Sequence, residues 1–382
     1  MRSYLVEKFE EFFKKSPNFC ISNGGRFEIL GNHTDHNNGL CIAGTCSLAI
    51  YASVGIRDDN KICLFSEGFD KTEINLNSLE KLEEEKGENS SLIRGIAYYL
   101  AKKGYKIGGL DIYMISTVPL GAGVSSSAAF ELLISSSFNY AFNKNNIDTM
   151  TLCLASQFAE KEYYGKMCGL LDQIGVAYGG YTYIDFKNTP PIHESLKIDM
   201  KDYSFVIVNT GGNHLKMTDL YTQIPNDMYE VAKLTGNKFL RDTTLNEVLK
   251  IKNSLTNSQL DRAIHYFSEN ERVIKAREAI KNNNIDLLIS LMNESCESST
   301  KYLQNMMVKG KYLGSPLEAC DIIRDASHYT AGVKINGGGF AGSVIALVPN
   351  KVLTDVMTAC HQKYGENNIH LVSIRNEGPT IF

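Results

Sequence analysis

The sequence predicts an α+β chain built as two domains. Three observations carry that expectation. Strand-like and helix-like stretches come in blocks, without a regular strand–helix alternation. The 382 residues are more than one ordinary core organises, at roughly 150 residues per domain. A turn holding Pro190 and Pro191 interrupts the pattern midway, and it is the candidate boundary between residues 1–195 and residues 196–382.

The N-terminal MRSYLVEKFEEFFKK reads as an amphipathic helix with Leu5, Phe9 and Phe12 on one face. It lacks the continuous apolar run of a signal peptide. Strand-like runs follow at Cys41–Ile56, Ile62–Ser66 and Leu110–Ser116. The acidic patch Leu79–Ser91 reads as a solvated helix end and loop. Helices are predicted from about Ser125 to Phe142 and from about Thr151 to Tyr164, the latter with Leu152, Ala155 and Ala159 on one face. Tyr181–Phe186 and Tyr203–Asn209 read as strands on either side of the proline turn. Mostly helical sequence then runs from Tyr221 to about Ala326. Strands close the chain near Val333, at Ser343–Val348 and at Ile369–Ile374.

Hydrophobic residues make up 43% and charged residues 21%, which excludes a disordered or fibrous chain. Lys and Arg number 39 against 43 Asp and Glu, a net charge of −4, so there is no bulk attraction for nucleic acid or an anionic membrane. No apolar run reaches the roughly 18–20 residues of a membrane span. Nine scattered cysteines form no CxxC and no zinc-like spacing, so reduced, mostly buried thiols in a cytoplasmic protein are expected.

Three glycine-rich segments concentrate the chemistry. In Gly24–Gly39, GGRFEILGNHTDHNNG, polar residues are so dense that the segment is expected outside the core. It reads either as a turn-rich hairpin or as a site whose Asn, Asp and His side chains match the hydroxyls of a polyol. His33 and His36 near Asp35 have no third ligand cluster to make a metal site. In Pro119–Glu131, PLGAGVSSSAAFE, glycines free the backbone to curl and serines open an apolar-patterned helix. Unpaired N–H groups at such a helix start favour an anion, so a phosphate cradle competes with a plain capped helix. The segment is neither a Walker A loop nor a dinucleotide fingerprint. In Ile335–Val348, INGGGFAGSVIALV, three glycines precede an apolar strand, as in a tight turn or a loop held close to another part of the chain.

In this order the three segments resemble the GHMP kinase superfamily, and within it the galactokinases. GRFEILGNHTDHNNG is similar to the galactokinase pattern GRxNLIGEHTDYNxG, Pro119–Ala128 to the phosphate loop PxGxGLSSSA, and Asn336–Gly342 to TGAGFGG. GKMCGLLDQIGVAYGG, from Gly165, resembles the family segment around its catalytic aspartate, and HYFSENERV, His265–Val273, resembles a further galactokinase stretch. The resemblance implies a two-domain GHMP kinase-like fold with the active site in the interdomain cleft. It implies an ATP-dependent, Mg2+-using kinase of the anomeric C1 hydroxyl of galactose, with sugar and ATP as its small-molecule partners.

Site roles follow from the same resemblance. Asp172 matches the catalytic base and Arg26 the arginine beside it. Ser127 and Glu160 match the magnesium-linked pair. Gly121, Ala122, Gly123, Val124, Ser125, Ser126 and Ser127 correspond to the loop that cradles the ATP phosphates. Asn32, His33, Thr34 and Asp35 fall at sugar-binding positions, and Tyr221 at that of a sugar-contacting tyrosine.

The chain departs from the pattern in one loop. Asn32 stands where galactokinases carry a glutamate that contacts the hydroxymethyl end of the hexose, Glu28 replaces an asparagine, and His36 replaces a tyrosine. An amide both donates and accepts, so Asn32 would tolerate other groups at C6. This keeps open a C1 kinase of a related sugar, galacturonate or N-acetylgalactosamine. A non-catalytic sugar- and ATP-binding sensor is the third reading, and the intact Ser127, Ala128, Ala129, Asp172 and Glu160 argue against it.

Overall fold

The computed structural model describes residues 1–119, 123–211, 218–340 and 342–382. Gly121 and Ala122, expected in the phosphate loop, lie outside the described residues.

Helix α1 (Arg2–Phe13) buries Leu5 and Phe9, while Phe12 stays 43% exposed and stacks on Phe65. Strands β1 (Phe19–Leu30), β2 (Leu40–Ile56), β3 (Lys61–Ser66) and β4 (Thr72–Asn75) follow. Helix α2 (Asn89–Lys102) then leads to β5 (Leu110–Ser116). Next come α3 (Ser126–Asn143), α4 (Thr149–Phe158), a π-helical turn over Ala159–Tyr164, α5 (Leu171–Ala177), β6 (Tyr181–Asp185) and β7 (Ile192–Leu196). Among the described residues these strands build one sheet in the order β12-β1-β2-β5-β3-β4, with β6 on the other end of the long β2 and β7 beyond it; its last member, β12 (Thr380–Ile381), comes from the far C-terminus.

The remaining chain builds the second sheet. Its antiparallel order is β11-β8-β10-β9, from β8 (Tyr203–Asn209), β9 (Gly332–Asn336), β10 (Ser343–Pro349) and β11 (Ile369–Val372). Helices α6 (Thr218–Leu234), α7 (Leu245–Lys250), α8 (Asn257–Lys281), α9 (Ile285–Ser298) and α10 (Pro316–Ala326) fill the stretch between β8 and β9, and α11 (Leu353–Tyr364) precedes β11. Two sheets with their helices in blocks are the α+β arrangement the sequence predicts.

The largest departure is β1. The first glycine-rich segment was expected outside the core, yet all twelve residues of β1 are buried. Each polar side chain there meets a partner from distant sequence: Asn23 donates to the Ala129 carbonyl, Arg26 pairs with Asp172, and Glu28 with Lys334. Burial of polar groups is affordable only with such partners. The acidic patch is mostly exposed, as expected, apart from Glu85, which forms a two-pronged pair with the buried Arg94. All nine cysteines are free thiols, buried except for the half-buried Cys168.

Candidate active site

Arg26, on β1, reaches across to α5. Its Nε and Nη2 lie 2.8 and 2.7 Å from Asp172 Oδ1, and its Nη1 donates to the Gly123 carbonyl at 2.7 Å. Asp172 sits in the first turn of α5, and its other oxygen accepts from the Ser125 hydroxyl at 2.7 Å. Burial alone would raise the Asp172 carboxyl, but the Arg26 guanidinium and the Ser125 hydroxyl outweigh it and hold it below its ordinary 3.8. Asp172 is therefore an ionised carboxylate locked in orientation, the state a proton acceptor needs.

Ser125 takes a left-handed backbone (φ 55°) just before α3, and its side chain does not cap the helix. Because that hydroxyl turns to Asp172, the first N–H groups of α3, from Ser126 and Ser127 on, are left facing outward with the positive end of the helix dipole. Gly123 holds φ 68°, and the Val124 carbonyl accepts from the Arg26 N–H at 3.0 Å, so β1 anchors this loop.

At the second residue of α3, the Ser127 hydroxyl donates to Glu160 Oε1 at 3.2 Å. Glu160 was expected at the end of one continuous helix. The helix instead widens into a π-turn at Ala159, which carries Glu160 inward to 1% exposure. Gln173 Nε2 bridges Glu160 and the buried Glu131, 3.0 Å from each. Burial, with Glu160 nearby, pushes the Glu131 carboxyl well above 4.5.

The third glycine-rich segment closes onto the first two. Asn336 accepts from the Glu28 N–H at 2.9 Å and donates to the Gly123 carbonyl at 3.1 Å. The Tyr221 hydroxyl donates to the Gly339 carbonyl at 2.7 Å, and its ring lies where a side chain on Gly338 would have to go. Tyr221 thus pins this loop. His33 Nε2 meets the Gly338 carbonyl at 2.9 Å, so that nitrogen carries the hydrogen and Nδ1 accepts from His36 Nε2 at 3.0 Å. Burial and then the neighbouring His36 pull His33 down to about 3, and burial pulls His36 to about 4, so both rings are neutral at pH 7.

Two of the residues expected to touch sugar point elsewhere. The Asn32 amide, 1% exposed, donates to the Gly337 carbonyl (2.7 Å) and Glu28 (3.3 Å) and accepts from Asn305 (2.9 Å). The buried Thr34 hydroxyl faces the Gly31 and Leu40 carbonyls and closes the loop on itself. Asp35 remains turned inward: its carboxylate occupies the space a side chain on Gly169 would need, in the segment that carries Asp172. Burial raises its carboxyl, offset by His33 and reinforced by Asp172.

Sequence reasoning missed what supports this loop. Helix α8 presents His265, Glu269 and Asn270, which bond to the Asn32 carbonyl (3.0 Å), the Gly31 N–H (2.9 Å) and the Leu40 N–H (2.7 Å). HYFSENERV was visible as a resembling stretch. Its polar residues at helical spacing, i and i+4, were the available signal for a buried polar face.

The model of the GHMP kinases N terminal domain matches residues 91–180, and that of the galactokinase galactose-binding signature matches residues 7–56. A galactokinase of Clostridium perfringens (strain 13 / Type A) is 29% identical over 98% of both chains. One from Limosilactobacillus fermentum is 28% identical over 95% of this chain and 92% of its own. The crystal structure of Lactococcus lactis galactokinase complexed with galactose superposes with a TM-score of 0.87 at 24% identity, covering 99% of each chain. Methanococcus jannaschii mevalonate kinase shares the fold more distantly, at a TM-score of 0.68 and 16% identity over 93% of this chain and 98% of its own. The matched segments are the ones that bring Arg26, Ser125 and Asp172 together, and the likeness runs the length of the chain: it is a likeness to the GHMP kinases and, within them, to the galactokinases, phosphotransferases that act on a hydroxyl group.

Proposed function

We propose that the chain transfers the γ-phosphoryl group of ATP to the anomeric C1 hydroxyl of galactose, giving galactose 1-phosphate and ADP. The observation that carries this reading is Asp172, ionised and gripped by Arg26 and Ser125 at the uncapped start of α3. Asp172 takes the proton of the C1 hydroxyl as its oxygen bonds to phosphorus. Arg26 fixes the carboxylate and offsets charge developing beside it. The loop Gly121–Ser127 and the first N–H groups of α3 hold the phosphates. Phosphoryl transfer rests mainly on such positioning and charge neutralisation. Asp35 accepts hydrogen bonds from the sugar, while Asn32, His33, Thr34 and Tyr221 shape the pocket around it.

Among the described residues no group of three or more His, Cys, Asp or Glu could hold a metal. Ser127 and Glu160 offer one hydroxyl and one carboxylate oxygen, 3.2 Å apart, a hard donor set that fits Mg2+ sharing its shell with water and phosphate oxygens. Bound there, the ion would neutralise phosphate charge. No helix among the described residues is long and apolar enough to cross a membrane. With its reduced thiols, the enzyme acts in the cytoplasm on small molecules.

A second reading keeps the C1 chemistry and changes the sugar. It is favoured by the neutral, internally bonded Asn32, which leaves no carboxylate at position 32 to select a C6 hydroxyl. ADP release measured across galactose, glucose, talose, N-acetylgalactosamine, galacturonate and arabinose separates the two. The highest kcat/KM is expected with galactose. A higher value with galacturonate or N-acetylgalactosamine selects the second reading, and no ADP release with any sugar overturns both.

A further inference from the structure

The loop between the π-turn and α5 carries a cation that the chemistry above does not use. Gly165 (φ 88°) ends the π-turn in a left-handed conformation and turns the chain back over Glu160. The next residue, Lys166, places its ammonium 2.6 Å from Glu160 Oε1, the same oxygen that accepts from Ser127. One carboxylate oxygen therefore collects both the ammonium and the hydroxyl at the start of α3. The Lys166 side chain is 52% exposed while that of Glu160 is 2% exposed, so the cation enters from solvent over a buried acid. Asp172 also acts on this ammonium.

The charge balance gives Lys166 a task. The corner holds Asp172, Glu160 and Asp35, and a nucleoside triphosphate adds about four more negative charges. Arg26 has its donors engaged by Asp172 and the Gly123 carbonyl. Lys334 is fully buried on Glu28 and two backbone carbonyls. Lys166 is held by one carboxylate, on a flexible stem with three rotatable donors, at the mouth of the phosphate loop. The terminal phosphate of a nucleotide held at that loop would compete with Glu160 for the ammonium.

We propose that Lys166 is a phosphate-binding residue of the kinase, resting on Glu160 in the unloaded chain and pairing with the terminal phosphate of ATP when nucleotide binds. The inference rests on the reading of this cleft as an ATP site. It assigns to this chain a cation from a side chain, in the loop that leads to Asp172.

The test is calorimetric binding of ATP and of ADP to wild type, Lys166→Met and Lys166→Arg, each with excess Mg2+ and with EDTA, alongside kcat and KM for ATP. In EDTA, Lys166→Met is expected to weaken ATP by about tenfold or more, the scale of one hydrogen bond to a charged group, and ADP by much less. Lys166→Arg is expected to retain most of the ATP affinity. If Lys166 only neutralises Glu160, Lys166→Met binds ATP in EDTA as tightly as wild type, and that result overturns the proposal. A Lys166→Met protein that does not fold is replaced by Lys166→Gln, read by the same comparison of ATP with ADP. Wild type that binds no ATP defeats the kinase reading itself. Wild type that turns over sugar while Lys166→Met keeps full ATP affinity defeats only the role of Lys166.

Discussion

The reacting carboxylate is the sharpest test at the level of single side chains. Asp172→Asn keeps the shape and the bond to Ser125 but removes both the proton acceptor and the partner charge of Arg26. It is expected to lower kcat by roughly 10²–10⁴-fold, the range of general-base catalysis, with nucleotide affinity within a few-fold of wild type. A kcat above about a tenth of wild type would exclude Asp172 as the base. Position 32 makes a different prediction, because its amide is already bonded on three sides. Asn32→Glu would set a carboxylate against Glu28 and the Gly337 carbonyl. Leaving a buried charge without a partner costs about 3–5 kcal/mol. Adding Glu28→Asn leaves one carboxylate opposite one amide, still beside Lys334, so most of that loss is expected to return, with a coupling of at least about 1 kcal/mol. Denaturant melts of the two single variants and the double variant give the coupling directly. Simple additivity would mean that Glu28 and Asn32 are independent.

At the scale of elements, helix α8 acts as the support of the sugar-side loop, and Glu269 is its centre. Its carboxylate is fully buried, pairs with Arg272 at 2.8 Å and accepts from the Gly31 N–H and the Ser295 hydroxyl. Burial alone would raise it, but Arg272, then His265 and the Gly31 amide, bring it from 4.5 down to about 2. A carboxyl depressed on folding stabilises the native state above its unfolded value and loses that contribution as pH falls toward the folded one. Wild type is thus expected to lose on the order of 3 kcal/mol from Glu269 between about pH 5 and pH 2. Glu269→Gln should show a flatter stability profile across that window, and parallel profiles would remove Glu269 as the source. The same helix shows what was legible in the sequence. Leu110–Ser116 and Tyr203–Asn209 coincide with β5 and β8 because their apolar residues report burial directly. The three glycine-rich motifs were legible as chemistry because glycines, serines and clustered polar groups rarely serve packing alone. That β1 is buried was not legible: Arg26 and Glu28 look solvated until Asp172 and Lys334, 146 and 306 residues away, supply their counter-charges. Nor did local sequence show that the helix carrying Glu160 widens into a π-turn.

For the molecule as a whole, the two sheets are packed together through shared side chains. A single hydrophobic core joins Phe27, Ile42 and Ile184 of the first sheet to Phe205, Ile207, Ile345 and Leu347 of the second. The C-terminal β12 pairs back with β1, Ile21 opposite Ile381, so the first sheet is incomplete without the last residues of the chain. The buried Glu28–Lys334 pair and the Asn336 bridge cross between the halves at the site itself. A proposed boundary at 195/196 therefore falls at the end of β7, leaves β12 apart from the rest of its sheet and cuts through shared packing. Separating the halves would expose the apolar contacts of Phe27 and Phe205, whose rings lie 4.6 Å apart, and strand one member of a buried ion pair on each side. Fragments 1–196 and 197–382, expressed separately, are expected to show no cooperative thermal transition. The intact chain should melt in one step with calorimetric and van't Hoff enthalpies in agreement. A sharp transition from either fragment, or two resolved transitions from the intact chain, would show that the halves fold independently. The motifs would then be brought together only by docking. One-step melting instead means that the fold which buries β1 is the same event that assembles Arg26, Asp172, Ser125 and Asn336 into a site, so no half of the chain can hold the catalytic geometry alone.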